Sequence, residues 1–352
     1  MKMTALIMAG GRGERFWPVS REHCPKQFLS LTDDGETLIQ KTVRRLQPLL
    51  PPEDIYVATN SDYLPLLTAQ LPELPPENLL PEPCARNTAP CIALAAGMFH
   101  RKYGEAVMLV LPADHLIREE PLFLESMQTA VRAAEQNSLV TLGIRPAYPE
   151  TGYGYLHCAA GAGECRKVTQ FLEKPPLETA VQLVESGEWL WNSGMFVWKL
   201  SSILTALQAH QPALTAQLRP VLDAWDTPAF PQRLAAVYPS LPSVSIDKAV
   251  MELADNICAV PCSFGWDDVG SWRAIERIGD PDTAGNCLQG DVVTVDSTGC
   301  TVSGKEKLIA VLGLQEVVIV DTPDALLVCS KRSTQDIKKL LAAIRPQHSS
   351  VL

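Results

Sequence analysis

Four short apolar runs set the limits on what this chain can fold into: TALIMA (4–9), IYVAT (55–59), VMLVLP (107–112) and LVTLGI (139–144). Each reads as a buried parallel strand. The stretches between them are helical in character. In TLIQKTVRRL (37–46), Leu38, Ile39, Val43 and Leu46 share one face. TAPCIALAAGMF (88–99) is small and apolar throughout, and LFLESMQTAVRAAE (122–135) follows a helical period. Strands alternating with helices predict a right-handed, doubly wound, mostly parallel α/β sheet of Rossmann-like type.

After residue 150 the rhythm changes. Strand-like pieces at 168–172 and 194–198 alternate with a longer helical region, 201–223, and a Pro-punctuated one, 226–245. This predicts a helical insertion forming a second wall over the sheet edge. GDPDTAGN (279–286) reads as a boundary. Beyond it, short Val/Ile-rich strands separated by turns predict a small all-β domain over 281–352, closed by a helix at 333–345. A length of 352 residues suits two domains.

The formal net charge is -10, which argues against a nucleic-acid duplex or an anionic membrane as the main partner. Basic clusters therefore stand out. The ten cysteines include no C-x-x-C pair, and no His lies at zinc-finger spacing, so no structural metal is expected. Scattered thiols fit a reducing, cytoplasmic setting. The apolar stretch after Lys2 meets Arg12, Glu14 and Arg15 too soon for a signal peptide, and no window has the length of a membrane helix.

Directly behind the first strand come Gly10, Gly11, Arg12 and Gly13, then further basic residues. Glycines let backbone N–H groups approach an anion without a Cβ in the way, and Arg15 and Lys26 can add charge. A tight turn with solvated arginines uses the same residues. The dinucleotide fingerprint fails because Phe16 stands where a third glycine is needed, and no Walker A lysine follows. Pro18 excludes a long helix directly after the turn.

The full pattern is Gly10-Gly11-Arg12-Gly13-Glu14-Arg15-Phe16-Trp17-Pro18-Val19-Ser20, then Pro25-Lys26-Gln27. It resembles the signature of sugar-1-phosphate nucleotidylyltransferases, and the PKQF variant resembles the mannose-1-phosphate guanylyltransferase branch. Later motifs follow in the order this resemblance leads one to expect, over about residues 4–280.

LPADH places Asp114 just past a strand's carboxyl end, where ligands sit in open α/β sheets. A carboxylate beside a triphosphate needs a cation between them, and Mg²⁺ suits one or two carboxylates plus phosphate oxygens. The alternative is a helix cap. FGWDDVGSW offers Asp267 or Asp268, and the resemblance favours Asp268 with Asp114 as the metal pair. FLEKP (171–175) puts Glu173 and Lys174 at a strand end, where neighbours point to opposite sides unless the chain twists. TGYGY (151–155) supplies Gly152, and WLWNSGMFVW (189–198) supplies Asn192, an amide that needs a partner if buried. EPCARNTAP (82–90) brings Glu82, Asn87 and Thr88, as a base-reading loop or as the cap of the following helix. SVSIDKAVME (243–252) offers Asp247 and Lys248 to a sugar-side wall, or a capped helix with Ala249, Val250 and Leu253 packed inward.

The resemblance implies the reaction of GTP with α-D-mannose 1-phosphate to give GDP-mannose and pyrophosphate, with Mg²⁺ on Asp114 and Asp268. It implies Gly10, Gly11, Gly13, Arg15 and Lys26 at the triphosphate, and Glu82, Asn87 and Thr88 at the nucleotide. It places Gly152, Glu173, Lys174 and Asn192 at the sugar phosphate. It also implies a catalytic domain over 1–280, its nucleotide part about 1–150 and its sugar part about 151–280. The remainder would be a left-handed β-helix used in homodimerisation. Rival readings are another base and sugar, such as dTTP with glucose 1-phosphate, or a non-catalytic nucleotide-sugar binding protein.

Overall fold

The computed structural model describes residues 1–32, 34–159, 161 and 163–352. The first part of the chain runs β1 (Lys2–Ala9), α1 (Leu38–Leu46), β2 (Ile55–Asn60), α2 (Leu64–Gln70), β3 (Leu79–Glu82), α3 (Thr88–Tyr103) and β4 (Ala106–Pro112). Then come a two-residue β5 (Leu116–Ile117), α4 (Glu120–Ala134), β6 (Leu139–Ile144), β7 (Gly154–Cys158), β8 (Arg166–Glu173), α5 (Leu177–Ser186) and β9 (Trp189–Lys199). Helices α6 (Leu200–His210), α7 (Pro212–Asp223) and α8 (Phe230–Val237) precede β10 (Ile257–Cys262) and β11 (Trp266–Asp267).

One sheet takes nine strands in the order β3-β2-β1-β4-β9-β6-β10-β8-β7. Its four apolar runs are β1, β2, β4 and β6, with Leu6, Val57, Leu109 and Leu142 fully buried. β3, β2, β1 and β4 pair in parallel, as do β6 and β10, while β9 and β8 run against their neighbours. The expected α/β class is therefore what forms. The expected strand at 194–198 is only the second half of β9. Asn192, Ser193 and Gly194 interrupt its apolar pattern, yet the strand continues through Gly194 at a φ of 69° beside a register shift in β6.

Helices α6 and α7 pack with α3 on a face of this sheet, not over its edge as the sequence suggested. Ile203, Leu207, Leu214, Leu218 and Val221 share one core with Ile92, Phe99, Met108 and Trp198. Each such fully buried side chain contributes about 1.5–3 kcal/mol of transfer free energy. Gly97 of α3 lets α7 approach, since a Cβ there would lie 2.5 Å from Leu222 Cδ1. The expected helix over 243–252 is instead a π-helical turn, Asp247–Met251. Ala249 and Val250 are buried there, but Leu253 is 54% exposed.

Beyond α9 (Ala274–Ile278) lie β12 (Cys287–Gln289), β13 (Val292–Val295), β14 (Thr301–Ser303), β15 (Ile309–Leu312), β16 (Val317–Asp321), β17 (Leu326–Ser330) and α10 (Ile337–Ile344). The chain alternates between two parallel ladders, β12-β14-β16 and β13-β15, so it coils. The coil encloses Cys300, Val302, Val311 and Ile319. Asn286 fastens one turn to the next, donating to Ser297 O at 3.1 Å and accepting from Cys300 N at 2.9 Å.

By contact, the chain groups into two compact units. One is Met1–Gly10, Val43–Ala113 and Ile117–Trp266; the other is Gly11–Thr42, Asp114–Leu116 and Asp267–Leu352. The partition at residue 280 is one of sequence segments; compactness instead puts the glycine loop with the C-terminal coil. Phe16 and Trp17 share a core with Trp272, Val318, Leu327 and Ile337. Among the described residues, no helix is long and apolar enough to cross a membrane.

Gly290 has a φ of 96°, and a Cβ there would sit 1.7 Å from Gly304 O, a backbone atom that cannot rotate away. Gly290→Ala is expected to cost more than about 2 kcal/mol. A lowered urea midpoint checks this; an unchanged one contradicts it.

Candidate active site

In the unit holding the glycine loop, local chemistry brings four sequence motifs together. Gly13 takes a φ of 60°, and a Cβ on it would meet Lys26 Cβ at 2.4 Å and Lys26 N at 2.6 Å. Only glycine lets the loop close onto the Pro25-Lys26-Gln27 segment. Gly13 O accepts from Phe16 N and from Ser20 Oγ, and Gln27 Nε2 donates to Gly11 O at 3.0 Å. A Cβ on Gly11 would have open space, so no contact demands that glycine.

Lys26 is 5% exposed. Its ammonium lies 2.7 Å from Asp114 Oδ2 and donates to Asp268 O at 2.8 Å and Val269 O at 2.9 Å. An ammonium has three N–H donors, so protein oxygens take all of them. Arg15 donates to Gln335 Oε1 at 2.7 Å.

Asp114 keeps 31% of its side chain exposed. Burial pushes its carboxyl up, but the Lys26 ammonium, and His115 after it, outweigh that and bring its pKa below the ordinary aspartate value. The neighbouring carboxylates at 267 and 268 differ sharply. Asp267 is buried, binds Arg277 through both oxygens at 2.5 and 3.0 Å, and accepts from Val269 N. Asp268 follows it in the loop that Lys26 holds by its carbonyls, ahead of Val269 at a φ of 48°.

The second set of residues lies in the unit that holds the large sheet. Glu82 ends β3, and a Cβ on Gly10 would be 3.7 Å from its Oε2. The Tyr238 hydroxyl donates to Glu82 Oε1. Burial raises the Glu82 pKa, against the hydrogen bonds from Tyr238 and Cys91. Asn87 does the local work that the helix-cap reading assigns it, while Thr88 reaches a distant segment. Asn87 Oδ1 accepts from Thr88 N at 2.9 Å, and Thr88 Oγ1 accepts from Ile246 N at 2.8 Å.

That last bond ties the start of α3 to the turn bearing Asp247. Asp247 Oδ1 accepts from Asn192 Nδ2 at 2.8 Å, and Asn192 Oδ1 accepts from Thr141 Oγ1 at 2.8 Å. The buried amide in the tryptophan-rich strand therefore has side-chain partners on both ends. Burial first, then the Glu173 carboxylate, pushes the Asp247 carboxyl up to about 6 against the Asn192 hydrogen bond. The chain turns at the end of β8: Lys174 has a φ of 46°, and its ammonium returns to Glu173 Oε1 at 3.0 Å. Gly152 is less available than its place in TGYGY suggests, because its N–H donates to Glu150 Oε1 at 2.9 Å.

Sequence reasoning missed Tyr238, Thr141 and Gln335, which act on partners far away in the chain, and Arg277, whose partner Asp267 is ten positions off. A cavity of about 440 Å³ lined by Ser201, Thr205, His210 and Asn256 contains none of the site residues.

Residues 4–284 match the family model described as nucleotidyl transferase, and residues 290–344 that of the mannose-phosphate isomerase/GMP-like β-helix domain. The xanthan biosynthesis protein XanB of Xanthomonas campestris is 41% identical over 97% of this chain and 73% of its own length. A mannose-1-phosphate guanylyltransferase of Salmonella montevideo is 37% identical over 97% of this chain and 74% of its own. A crystal structure described as mannose-1-phosphate geranyltransferase from Thermus thermophilus superposes with a TM-score of 0.90 at 35% identity. The match covers 98% of this chain and 100% of the Thermus chain.

Asp247 sets a pH test. Its folded pKa of about 6 exceeds the roughly 3.9 of an unfolded aspartate. Between those values the folded state binds more protons, so this group's stabilising contribution is present below about pH 4 and lost as pH rises through about 6. Asp247→Asn removes that dependence. Between pH 4 and 7.5 the variant is expected to gain on the order of 2–3 kcal/mol relative to wild type. Urea unfolding at both pH values measures it, and a pH-independent difference contradicts it.

Proposed function

The chain belongs to the nucleotidyl transferase family, with a GMP-like β-helix domain behind the catalytic one, and from that premise we propose that it transfers a guanylyl group from GTP to α-D-mannose 1-phosphate. The observation that carries this reading is the joining of Gly11, Gly13, Asp114 and the Asp268 loop through one buried lysine.

In the proposed reaction an oxygen of the sugar phosphate attacks the α-phosphorus of GTP. A new P–O bond forms, the bond to the β-phosphate bridging oxygen breaks, and pyrophosphate leaves. The nucleophile is already an anion, so no general base is required. The work left to the protein is alignment and charge neutralisation. Backbone amides of Gly10, Gly11 and Gly13, with the Arg15 guanidinium and the Lys26 ammonium, receive the triphosphate. Glu173, Lys174 and Asn192 receive the sugar phosphate, with Lys174 as the cation for the attacking group.

Asp114 and Asp268 suit a hard divalent ion. Mg²⁺ takes one or two carboxylates and draws most of its ligands from phosphate and water. When bound, it would neutralise charge at the α-phosphoryl group. Asp267 is set aside for the structural role that its Arg277 pair gives it.

Base choice is assigned to Glu82. A carboxylate can accept from both guanine N1–H and the amino group, and its roughly four acceptor sites leave room for Tyr238 as well. Related thymidylyl transferases commonly have Gln-Pro where this chain has Glu82-Pro83.

Pyrophosphate release with GTP, ATP, UTP and dTTP, each paired with mannose 1-phosphate or glucose 1-phosphate, tests the proposal. The expected result is GTP with mannose 1-phosphate favoured at least about tenfold in kcat/KM, or about 1.4 kcal/mol. Asp114→Ala is expected to slow turnover by more than about tenfold, and Glu82→Gln to erode the GTP preference. A dTTP preference, or no release with any pair, contradicts the assignment.

A further inference from the structure

We propose that Cys165 and Cys258 form a modification site, at which peroxide joins the two thiols in a reversible disulfide. The inference does not depend on the guanylyl-transfer reading. Strand β10 pairs with β8 through Cys258 opposite Lys167 and Ala259 opposite Arg166. Side chains directly opposite share a face, and alternate residues of one strand share a face too. Cys165 therefore lies on the Cys258 face, along the diagonal from it. A diagonal pair in a regular ladder is ordinarily too far apart to bridge, but Cys165 stands where the chain bends into β8. There its thiol meets the Cys258 sulfur and donates a hydrogen bond to it.

The surroundings divide the work between the two. The Cys165 hydrogen bond, joined by one from Ser138, brings the Cys258 thiol down to about 6 against its burial. The same bond, with burial behind it, pushes the Cys165 thiol up. At neutral pH one sulfur is thus the nucleophile and the other keeps its proton, and both are partly exposed. Their cysteine neighbours differ. Burial pushes Cys158 up to about 11 against the Arg166 charge, and Cys158 packs with Leu156, Leu190 and Ala259 on the other face. Burial pushes Cys262 up to about 12. In the first step the Cys258 thiolate attacks one peroxide oxygen. An S–O bond forms, the O–O bond breaks, and the departing hydroxide takes a proton from solvent. The Cys165 sulfur then attacks the sulfenic sulfur. An S–S bond forms, the S–O bond breaks, and the second hydroxide takes the Cys165 proton. Two thiols and one peroxide give one disulfide and two waters, the thiols losing the two electrons that peroxide gains. The bridge closes residues 165–258 into a loop that contains Glu173, Asn192 and Asp247.

Wild-type protein treated with hydrogen peroxide, blocked at its remaining thiols and digested without reductant tests the proposal by mass spectrometry. The expected product is a peptide linked through Cys165 and Cys258, with two of the ten thiols lost and both restored by dithiothreitol. Cleavage after Glu164 separates Cys165 from Cys158, and fragmentation before Pro261 separates Cys258 from Cys262. Cys258→Ser is expected to slow thiol loss at least about tenfold. Cys165→Ser is expected to leave Cys258 as a sulfenic acid that dimedone labels, whereas Cys158→Ser still forms the bridge. A bridge that uses Cys158 or Cys262 overturns the proposal. So does an overoxidised Cys258 beside a reduced Cys165, or survival of all the thiols while glutathione in the same solution is oxidised. Should a variant fail to fold, the wild-type peptide map decides alone.

Discussion

Two carboxylates that, on the proposed reading, share a divalent ion beside a polyphosphate repel each other, so something must hold them in place beforehand. In this protein that something is the Lys26 ammonium, seated between Asp114 and the carbonyls of Asp268 and Val269. The arrangement explains neighbouring choices. Gly13 is required because Lys26 fills the space of its Cβ, and Phe16 and Trp272 pack at 5.2 Å beneath the loop. Asp267 is drawn into an ion pair with Arg277, which leaves Asp268 as the different kind of carboxylate.

The large sheet carries the residues proposed to read the base and the sugar phosphate. β3 ends at Glu82 and β8 at Glu173, while Asn192 sits within the long central strand. Asn192 is oriented by Thr141 from β6 and by Asp247, so its amide cannot flip without losing two bonds. Glu82 and Asn192 are each braced by a partner distant in sequence, Tyr238 and Asp247, whereas Glu173 pairs with its neighbour Lys174.

Much of this was legible in the sequence because it is local. The runs at 4–9, 55–59, 107–112 and 139–144 are strands that no charged residue interrupts; the helix at 38–46 shows in its apolar spacing, and the one at 88–103 in a run that is small and apolar throughout. The limits were equally physical. β9 was cut short because its polar centre reads as a turn, although Asn192 is satisfied across the sheet. The turn over Asp247–Met251 carries helical spacing but closes as a π turn, which apolar periodicity does not distinguish. Adjacent aspartates look alike until Arg277 is seen on one of them, and Glu82 gives no hint of Tyr238, 156 positions away. The glycine loop was legible as a tight turn; that Lys26 behind it reaches Asp114 and two backbone carbonyls was not.

The central claim is that protein and nucleotide together complete a cation site that neither completes alone. The most direct measurement is Mn²⁺ affinity of the wild-type protein, read from the EPR signal of free Mn²⁺, with and without GTP. The account predicts that protein and GTP together hold the ion at least about tenfold more tightly than either alone. An ion held by the mixture no better than by GTP in solution would contradict it.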